Sequence, residues 1–191
     1  SLANGRAVAR LHTSTTAGLS TVTATILDGT PAARERVTFN VTTVAGGIHH
    51  YLVDMNATSS TAGISKNATV TAYDINNNPV DDDVTQVTLA GDPGVGLVFG
   101  TNPLTLSNGV AVTTVTATQV QTYQVRASTL GNPAVTGLGE VVTVIPAAPA
   151  GAITASATQT TITANGISTT TITSGVIRDA FGNQVAAGLS V

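Results

Sequence analysis

The 191-residue chain contains no cysteine. This absence excludes disulfide bonds, thiolate catalysis and zinc sites built on cysteine ligands. Charged residues are scarce, at 9% of the sequence, and the formal net charge is −3 at pH 7. The chain therefore has no basic stripe for phosphate contacts, and nucleic acid is not an expected partner. Aromatic residues make up only 3%, so any core must be filled by small aliphatic side chains.

Long apolar runs are also missing. The most apolar stretch, VVTVIPAAPAGAI at 141–153, is shorter than a bilayer span and is interrupted by Pro146 and Pro149. We interpret the proline-rich part as a linker and expect no membrane span in this segment. The sequence begins at Ser1 without a basic n-region or an apolar h-region, so we expect any signal peptide to be removed or to lie upstream.

What the sequence does contain is threonine, valine and alanine in short alternating segments. In ATVTAYD, at 68–74, Ala68, Val70 and Ala72 fall on one face of a strand. About seven such strands are separated by turn signals such as DPG, SNG and LGNP. This spacing predicts an all-β protein of immunoglobulin-like β-sandwiches. We expect Val70, Val112, Tyr123, Val125 and Val142 to be buried between the two sheets of one sandwich.

The sequence repeats itself at an offset of 103 to 105 residues. LANGRAV at 2–8 aligns with LSNGVAV at 106–112, and STVTAT at 20–25 aligns with YQVRAS at 123–128. A D-x-x-x-N-x-V motif occurs twice, with the equivalent pairs Asp74/Asp179, Asn78/Asn183 and Val80/Val185. The repeat predicts one complete domain between two halves: the C-terminal half of a repeat at 1–43, a linker at 44–47, a complete immunoglobulin-like domain at 48–145, a linker at 146–151, and the N-terminal half of a further repeat at 152–191.

Four segments carry a family resemblance: TAYDINNNPV at 71–80, VIRDAFGNQV at 176–185, LSNGVAVTTVTAT at 106–118 and TYQVRAST at 122–129. With them the chain resembles the group 1 bacterial immunoglobulin-like repeats of intimin/invasin-type surface adhesins. The resemblance implies a non-enzymatic structural or adhesive role outside a bacterial cell. Ser20 stands where Tyr123 does in the complete repeat, so a tyrosine-corner hydrogen bond is not expected in the first partial repeat.

The acidic stretch that begins at Asp74 admits three interpretations. We favour a turn, because Asn and Asp tolerate left-handed backbone and bond to their own chain. Calcium is the second, with Asp74, Asp81, Asp82 and Asp83 as candidate ligands, although Pro79 occupies the position where an EF-hand loop requires glycine. Catalysis by paired carboxylates is the third and the least favoured, because adjacent Asp residues on a turn do not form a cleft.

The three histidines give no clear site. His49 and His50 are candidate metal ligands, but adjacent residues on a strand point to opposite faces, which makes a shared ion awkward. A hydrolase triad would need a histidine near an activated serine, and His12 lies in a strand repeat whose counterpart is not histidine. The glycine-rich GDPGVG at 91–96 is not followed by the helix that a phosphate site uses. No cofactor is therefore expected.

Three sequons are possible glycosylation sites, at Asn40, Asn56 and Asn67. As for function, we favour a stalk or fibre of repeats whose partners are neighbouring repeats or subunits of the same protein. One alternative is a binding module that recognises a carbohydrate or a host or matrix protein through a loop such as 91–103. Another is a subunit of a non-covalent filament, in which a neighbour completes each half repeat by strand addition.

Overall fold

The all-β prediction is confirmed by a computed structural model, which describes residues 8–25 and 36–185. Within these ranges no helix is present, and none therefore has the length and apolarity needed to cross a membrane. The described residues form fourteen strands: β1 (Gly18–Thr25), β2 (Arg36–Thr43), β3 (His50–Asp54), β4 (Ser59–Thr61), β5 (Ser65–Tyr73), β6 (Gln86–Asp92), β7 (Leu97–Phe99), β8 (Leu104–Thr105), β9 (Val110–Ala117), β10 (Thr122–Thr129), β11 (Asn132–Leu138), β12 (Val142–Ile145), β13 (Ala155–Ala157) and β14 (Ile172–Ser174).

Strands β3 to β12 form a two-sheet structure that we call the central sandwich. One sheet has the order β3-β5-β9-β7, and the other has the order β4-β12-β10-β6-β8 with β11 paired to β10. The pairs are antiparallel except for β12 and β4, which are parallel. Both β11 and β12 pair with β10. Residues 139–141 connect these two strands and lie outside both of them.

Small aliphatic side chains fill the space between the two sheets, as the composition predicts. Along β5 the burial alternates, and Ala68, Val70 and Ala72 are fully enclosed. Tyr123 and Val125 are buried on β10. Val142 is also buried, so the predicted burial of these core residues is confirmed.

The predicted burial of Val112 is wrong, because its side chain is 56% exposed. Strand β9 instead turns Ala111, Thr113 and Val115 inward. The polar Thr113 is tolerated inside because its hydroxyl group donates to the carbonyl oxygen of Thr101 at 3.1 Å and accepts from the Thr101 amide at 2.8 Å. A hydrogen-bonded hydroxyl group therefore takes the inward position that hydrophobicity alone assigns to valine.

The hydroxyl group of Tyr123 has no hydrogen-bond partner among the described residues. Burial raises its pKa, and the charge of Glu140 raises it further. The ring therefore contributes through packing, and a tyrosine-corner hydrogen bond is not observed at this position of the central sandwich.

Two small sheets flank the central sandwich in sequence. Strands β1 and β2 pair antiparallel from Gly18–Thr43 to Thr25–Arg36, and β13 pairs antiparallel with β14. The β1–β2 sheet leaves Leu19 and Val37 exposed by 67% and 65%. The boundaries of the partial repeats remain a prediction, and residues 2–7 of the LANGRAV alignment lie outside the described ranges.

Candidate functional site at the two junctions

The stretch that begins at Asp74 forms a tight turn after β5, and this part of the sequence prediction is confirmed. The Asp74 amide donates to the carbonyl oxygen of Asn78 at 3.0 Å, and the Asn77 amide donates back to the Asp74 carbonyl oxygen at 3.1 Å. Asn77 has a φ angle of 61°, in the left-handed region that asparagine tolerates. The turn is closed by a bridge between Tyr73 and Pro79.

The buried carboxylate of Asp74 organises this turn. Oδ1 accepts hydrogen bonds from the amides of Asn76 and Asn78 at 2.8 and 2.9 Å. Oδ2 accepts from the side-chain amide of Asn78 and from the backbone amide of Gly46, both at 2.9 Å. The hydrogen bond from the Asn78 side chain, followed by that from Gly46, outweighs burial and lowers the pKa of Asp74 far below its ordinary value. The carboxylate thus holds the turn and the preceding linker together.

The side chain of Asn78 reaches from this turn to the chain before β1. Its Nδ2 atom donates to the carbonyl oxygen of Thr15 at 2.8 Å, and its Oδ1 atom accepts from the Ala17 amide at 2.8 Å. One amide group therefore pairs with two backbone groups that lie two residues apart, as a peptide group of a neighbouring strand would. We call this arrangement, formed by Asp74, Asn78 and their partners, the first clamp.

The turn after β14 repeats the same carboxylate pattern. Oδ1 of Asp179 accepts from the amides of Phe181 and Asn183, both at 2.9 Å. Oδ2 accepts from the Asn183 side chain at 2.8 Å and from the Ala147 amide in the second linker at 2.9 Å. Burial raises the pKa of Asp179, but the hydrogen bonds from Asn183 and Ala147 and those of the turn itself lower it by more.

The side chain of Asn183 also makes the same two contacts across its junction. Its Nδ2 atom donates to the carbonyl oxygen of Thr118 at 2.8 Å, and its Oδ1 atom accepts from the Val120 amide at 3.0 Å. Thr118 and Val120 lie just before β10, as the partners of Asn78 lie just before β1. This second clamp joins the β13–β14 segment to the central sandwich.

The residues between the shared Asp and Asn differ in the two turns, and one difference adds a contact at the second junction. Phe181 lies two residues after the motif's Asp, where the first turn has Asn76. The ring of Phe181 packs directly over Gly63, which has a φ angle of 81° and no room for a Cβ atom beneath the ring. The second junction therefore has an apolar contact in addition to its hydrogen bonds.

The other acidic residues of the calcium hypothesis bond mainly to backbone amides. Asp81 and Asp83 are exposed, and Asp83 accepts a hydrogen bond from the Asn108 amide at 2.6 Å. Asp82 accepts from both the amide and the hydroxyl group of Thr85, at 2.6 and 3.0 Å. The backbone hydrogen bond from Thr85 is the main reason that the pKa of Asp82 is lowered. In the described part of the chain, no three His, Asp or Glu side chains form a group suited to a metal ion.

The expectation that His49 and His50 diverge is wrong. Their Nδ1 atoms lie 3.4 Å apart. His12 is exposed near the beginning of the described residues.

The sequon residues Asn40, Asn56 and Asn67 are all exposed. Asn40 lies on β2, where its Oδ1 atom accepts a hydrogen bond from the Thr21 hydroxyl group at 3.0 Å. Glycosylation at the three positions remains a prediction.

Residues 91–103, the loop of the binding-module alternative, run from the end of β6 through β7. Near the end of this segment, the side chain of Asn102 bonds to both the amide and the carbonyl oxygen of Leu89, at 2.9 and 2.7 Å. No feature of the sequence indicates this third pairing of an Asn side-chain amide with the backbone.

No protein-family model matches the chain, and no curated protein sequence matches it significantly. Among solved structures, the adhesin FdeC of Escherichia coli is 26% identical over 78% of this chain and 48% of its own, with a TM-score of 0.55. InvD of Yersinia pseudotuberculosis is 16% identical over 89% of this chain and 52% of its own, with a TM-score of 0.53. Domains D00 and D0 of intimin are 17% identical over 67% of this chain and 65% of their own, with a TM-score of 0.47.

The chain thus spans about half the length of the FdeC and InvD structures that it matches. The predicted resemblance to the immunoglobulin-like domains of intimin/invasin-type adhesins is confirmed.

Proposed function

We propose that this chain is part of a non-enzymatic, semi-rigid stalk of immunoglobulin-like domains at a bacterial surface. The observation that carries the proposal is the duplicated clamp, in which equivalent Asp and Asn residues make equivalent bonds at both junctions. The similarity to FdeC, which is an adhesin, supports an extracellular setting. In this function the protein acts by spacing, because it holds other parts of the molecule away from the cell.

The clamps provide a physical basis for stiffness. Bending the first junction at Asn78 requires the loss of its two hydrogen bonds to the chain before β1. Each such bond contributes a net free energy of about 0.5 to 1.5 kcal/mol. Two of them favour the closed arrangement by roughly 1 to 3 kcal/mol, a population ratio of about 5 to 150. The linker cannot rotate independently, since the Asp74 carboxylate also holds the Gly46 amide.

We expect Asn78→Ala to loosen the first junction without unfolding the central sandwich. Because the chain has no cysteine, Thr23→Cys and Thr143→Cys introduce two unique labelling sites, both at exposed strand positions. Electron–electron resonance distances between spin labels at these sites should form a narrow distribution in the parent. The distribution should broaden in the Asn78→Ala variant.

Asn76→Ala is the matched control for this experiment. The side chain of Asn76 is exposed, and only its backbone amide bonds to Asp74. This variant should keep the narrow distribution. An equally narrow distribution in Asn78→Ala would show that the amide does not hold the junction.

We further propose that strands of the same kind of repeat cover the exposed sheet faces at either end. Leu19, Val37 and Phe39 on the β1–β2 sheet are all at least 49% exposed, and Ile172 on β14 is 71% exposed. Apolar side chains and open strand edges in water pair readily with other chains. We favour a covalent tandem array as the source of the covering strands, and strand addition by a second copy is the alternative.

Mass spectrometry of the native surface material distinguishes these sources. A polypeptide much heavier than the 19.0 kDa of this chain is expected for a covalent array. A mass near that value in material that forms filaments would support strand addition by a second copy in place of the covalent array. A well-behaved monomer of that mass would contradict both.

A further inference from the structure

We propose that His49 and His50 together bind one divalent transition-metal ion through their two Nδ1 atoms. These atoms lie 3.4 Å apart. Two imidazole nitrogens that share a tetrahedral Zn²⁺ ion at about 2.0 to 2.1 Å lie roughly 3.3 to 3.4 Å from each other. The spacing required for chelation is therefore already present between the two side chains.

The pair can converge because His49 precedes the first residue of β3. Strand β3 begins at His50, so the alternation of side chains that would separate the two rings does not extend to His49. The rings are nearly perpendicular, with an angle of 81° and centroids 5.6 Å apart. This edge-on arrangement directs one ring nitrogen of each residue toward the other.

Tyr73 holds both histidines in place. The ring of His50 stacks on the ring of Tyr73, with centroids 5.7 Å apart and an angle of 18°. The backbone amide of His49 donates to the Tyr73 carbonyl oxygen at 2.8 Å. Because these contacts hold the His50 ring and the His49 backbone before an ion binds, chelation loses less conformational freedom than it would between two fully mobile residues.

The chemistry of the pair favours particular ions. In the free pair, Nδ1–H of one imidazole donates a hydrogen bond to Nδ1 of the other. When the ion binds, the donor ring changes tautomer and carries its proton on Nε2 instead. Both Nδ1 lone pairs are then available as ligands. Imidazole suits Zn²⁺, Cu²⁺ and Ni²⁺, whereas Mg²⁺ and Ca²⁺ prefer oxygen ligands. Water fills the remaining coordination positions, because the side chain of His49 is exposed to solvent.

The site lies beside the first clamp, since Tyr73 is followed directly by Asp74. Its proposed activity is nevertheless independent of the stalk function, because metal binding can be measured on the chain alone. A failure of one proposal does not affect the other.

The test is titration of the chain with CuCl₂ and ZnCl₂ at pH 8, followed by calorimetry and, for Cu²⁺, by electron paramagnetic resonance. We expect one ion to bind per chain, with a Cu²⁺ spectrum that shows two nitrogen ligands. His49→Gln and His50→Gln should each weaken binding by at least about tenfold, because each removes half of the chelate. An excess of MgCl₂ should not compete.

His12→Gln is the matched control, since it removes an exposed histidine that lies outside the pair. It should leave the affinity unchanged. Circular dichroism should show that all three variants remain folded. The proposal is overturned if only one of the two histidines affects binding, if neither does, or if His12→Gln weakens binding as much as the others.

Discussion

Val125→Asp should abolish cooperative folding of the central sandwich. Val125 has no exposed surface and lies on β10, which pairs with β6, β11 and β12. The core around it is mostly aliphatic, with Tyr51 and Tyr123 as its aromatic members, and no buried Lys, Arg or His among the described residues offers a carboxylate a cationic partner. An unpaired buried charge costs several kcal/mol, which is comparable with the total stability of about 5 to 15 kcal/mol of a typical domain. Loss of the thermal unfolding transition in calorimetry would show the effect.

Val112→Asp is the matched control for this prediction. It makes the same substitution on strand β9, but at a side chain that is 56% exposed. Its effect on the free energy of unfolding should be about 1 kcal/mol or less, chiefly through lower strand propensity. Equal loss of folding in both variants would mean that exposure does not explain the first result. A folded, unchanged Val125→Asp protein would contradict the assigned position of β10 in the core.

The contrast between these two valines shows how far the sequence could predict the core. Alternation alone places Ala68, Val70 and Ala72 on one face correctly, because β5 is regular and its inward residues are all apolar. In β9 the apolar and polar residues do not alternate cleanly, and Thr113 points inward because Thr101 satisfies its hydroxyl group. That partner lies twelve residues away, where a local pattern cannot indicate it.

The clamps could be predicted only in part. The repeat identifies Asp74 and Asn78 as equivalent to Asp179 and Asn183, and the residue types correctly predict a turn. Nothing in the motif shows that the Asn side chain, which bonds to the Asp of its own turn, also reaches the backbone of another segment. Its partners in the first clamp are the backbone groups of Thr15 and Ala17, which every residue type other than proline would supply. Their side chains therefore carry no signal, and only the common offset of about 103 residues relates them to Thr118 and Val120.

For the histidine pair, a sequence rule predicts that the two side chains diverge, whereas the structure shows them in contact. The rule that adjacent strand residues point to opposite faces is sound within a strand. It fails here because the strand starts at the second histidine, and strand ends are the part of an element that a sequence defines least well.

Asp74→Asn should weaken the fold of the turn and loosen the first junction together, although the two side chains have nearly the same shape. All four groups that contact the Asp74 carboxylate are N–H donors. An asparagine offers a single acceptor oxygen, so its NH₂ group must face two of these donors whichever way it is turned. We expect the unfolding temperature of the central sandwich to fall by about 5 to 15 °C. We also expect the distribution of distances between spin labels at positions 23 and 143 to broaden.

Asp81→Asn is the control for the loss of one negative charge, because Asp81 is exposed on the same loop. Its unfolding temperature should remain within about 2 °C of the parent value. Similar values for the parent and Asp74→Asn would show that the four hydrogen bonds do not stabilise the turn.

Acid provides an independent test of the same carboxylate. The pKa of Asp74 is lowered in the folded protein, so its ionised form contributes stability above the unfolded pKa of about 3.9, and this contribution is lost as the pH falls toward the lowered folded value. Asparagine at position 74 has no such proton to gain. The difference in unfolding temperature between the parent and Asp74→Asn should therefore be constant above about pH 5 and should shrink steadily from about pH 4 to pH 2. Asp82 and Asp179 also have lowered pKa values, but both proteins contain them, so their effects cancel in this difference. A difference that stays constant down to pH 2 would show that the clamp does not depend on an ionised Asp74.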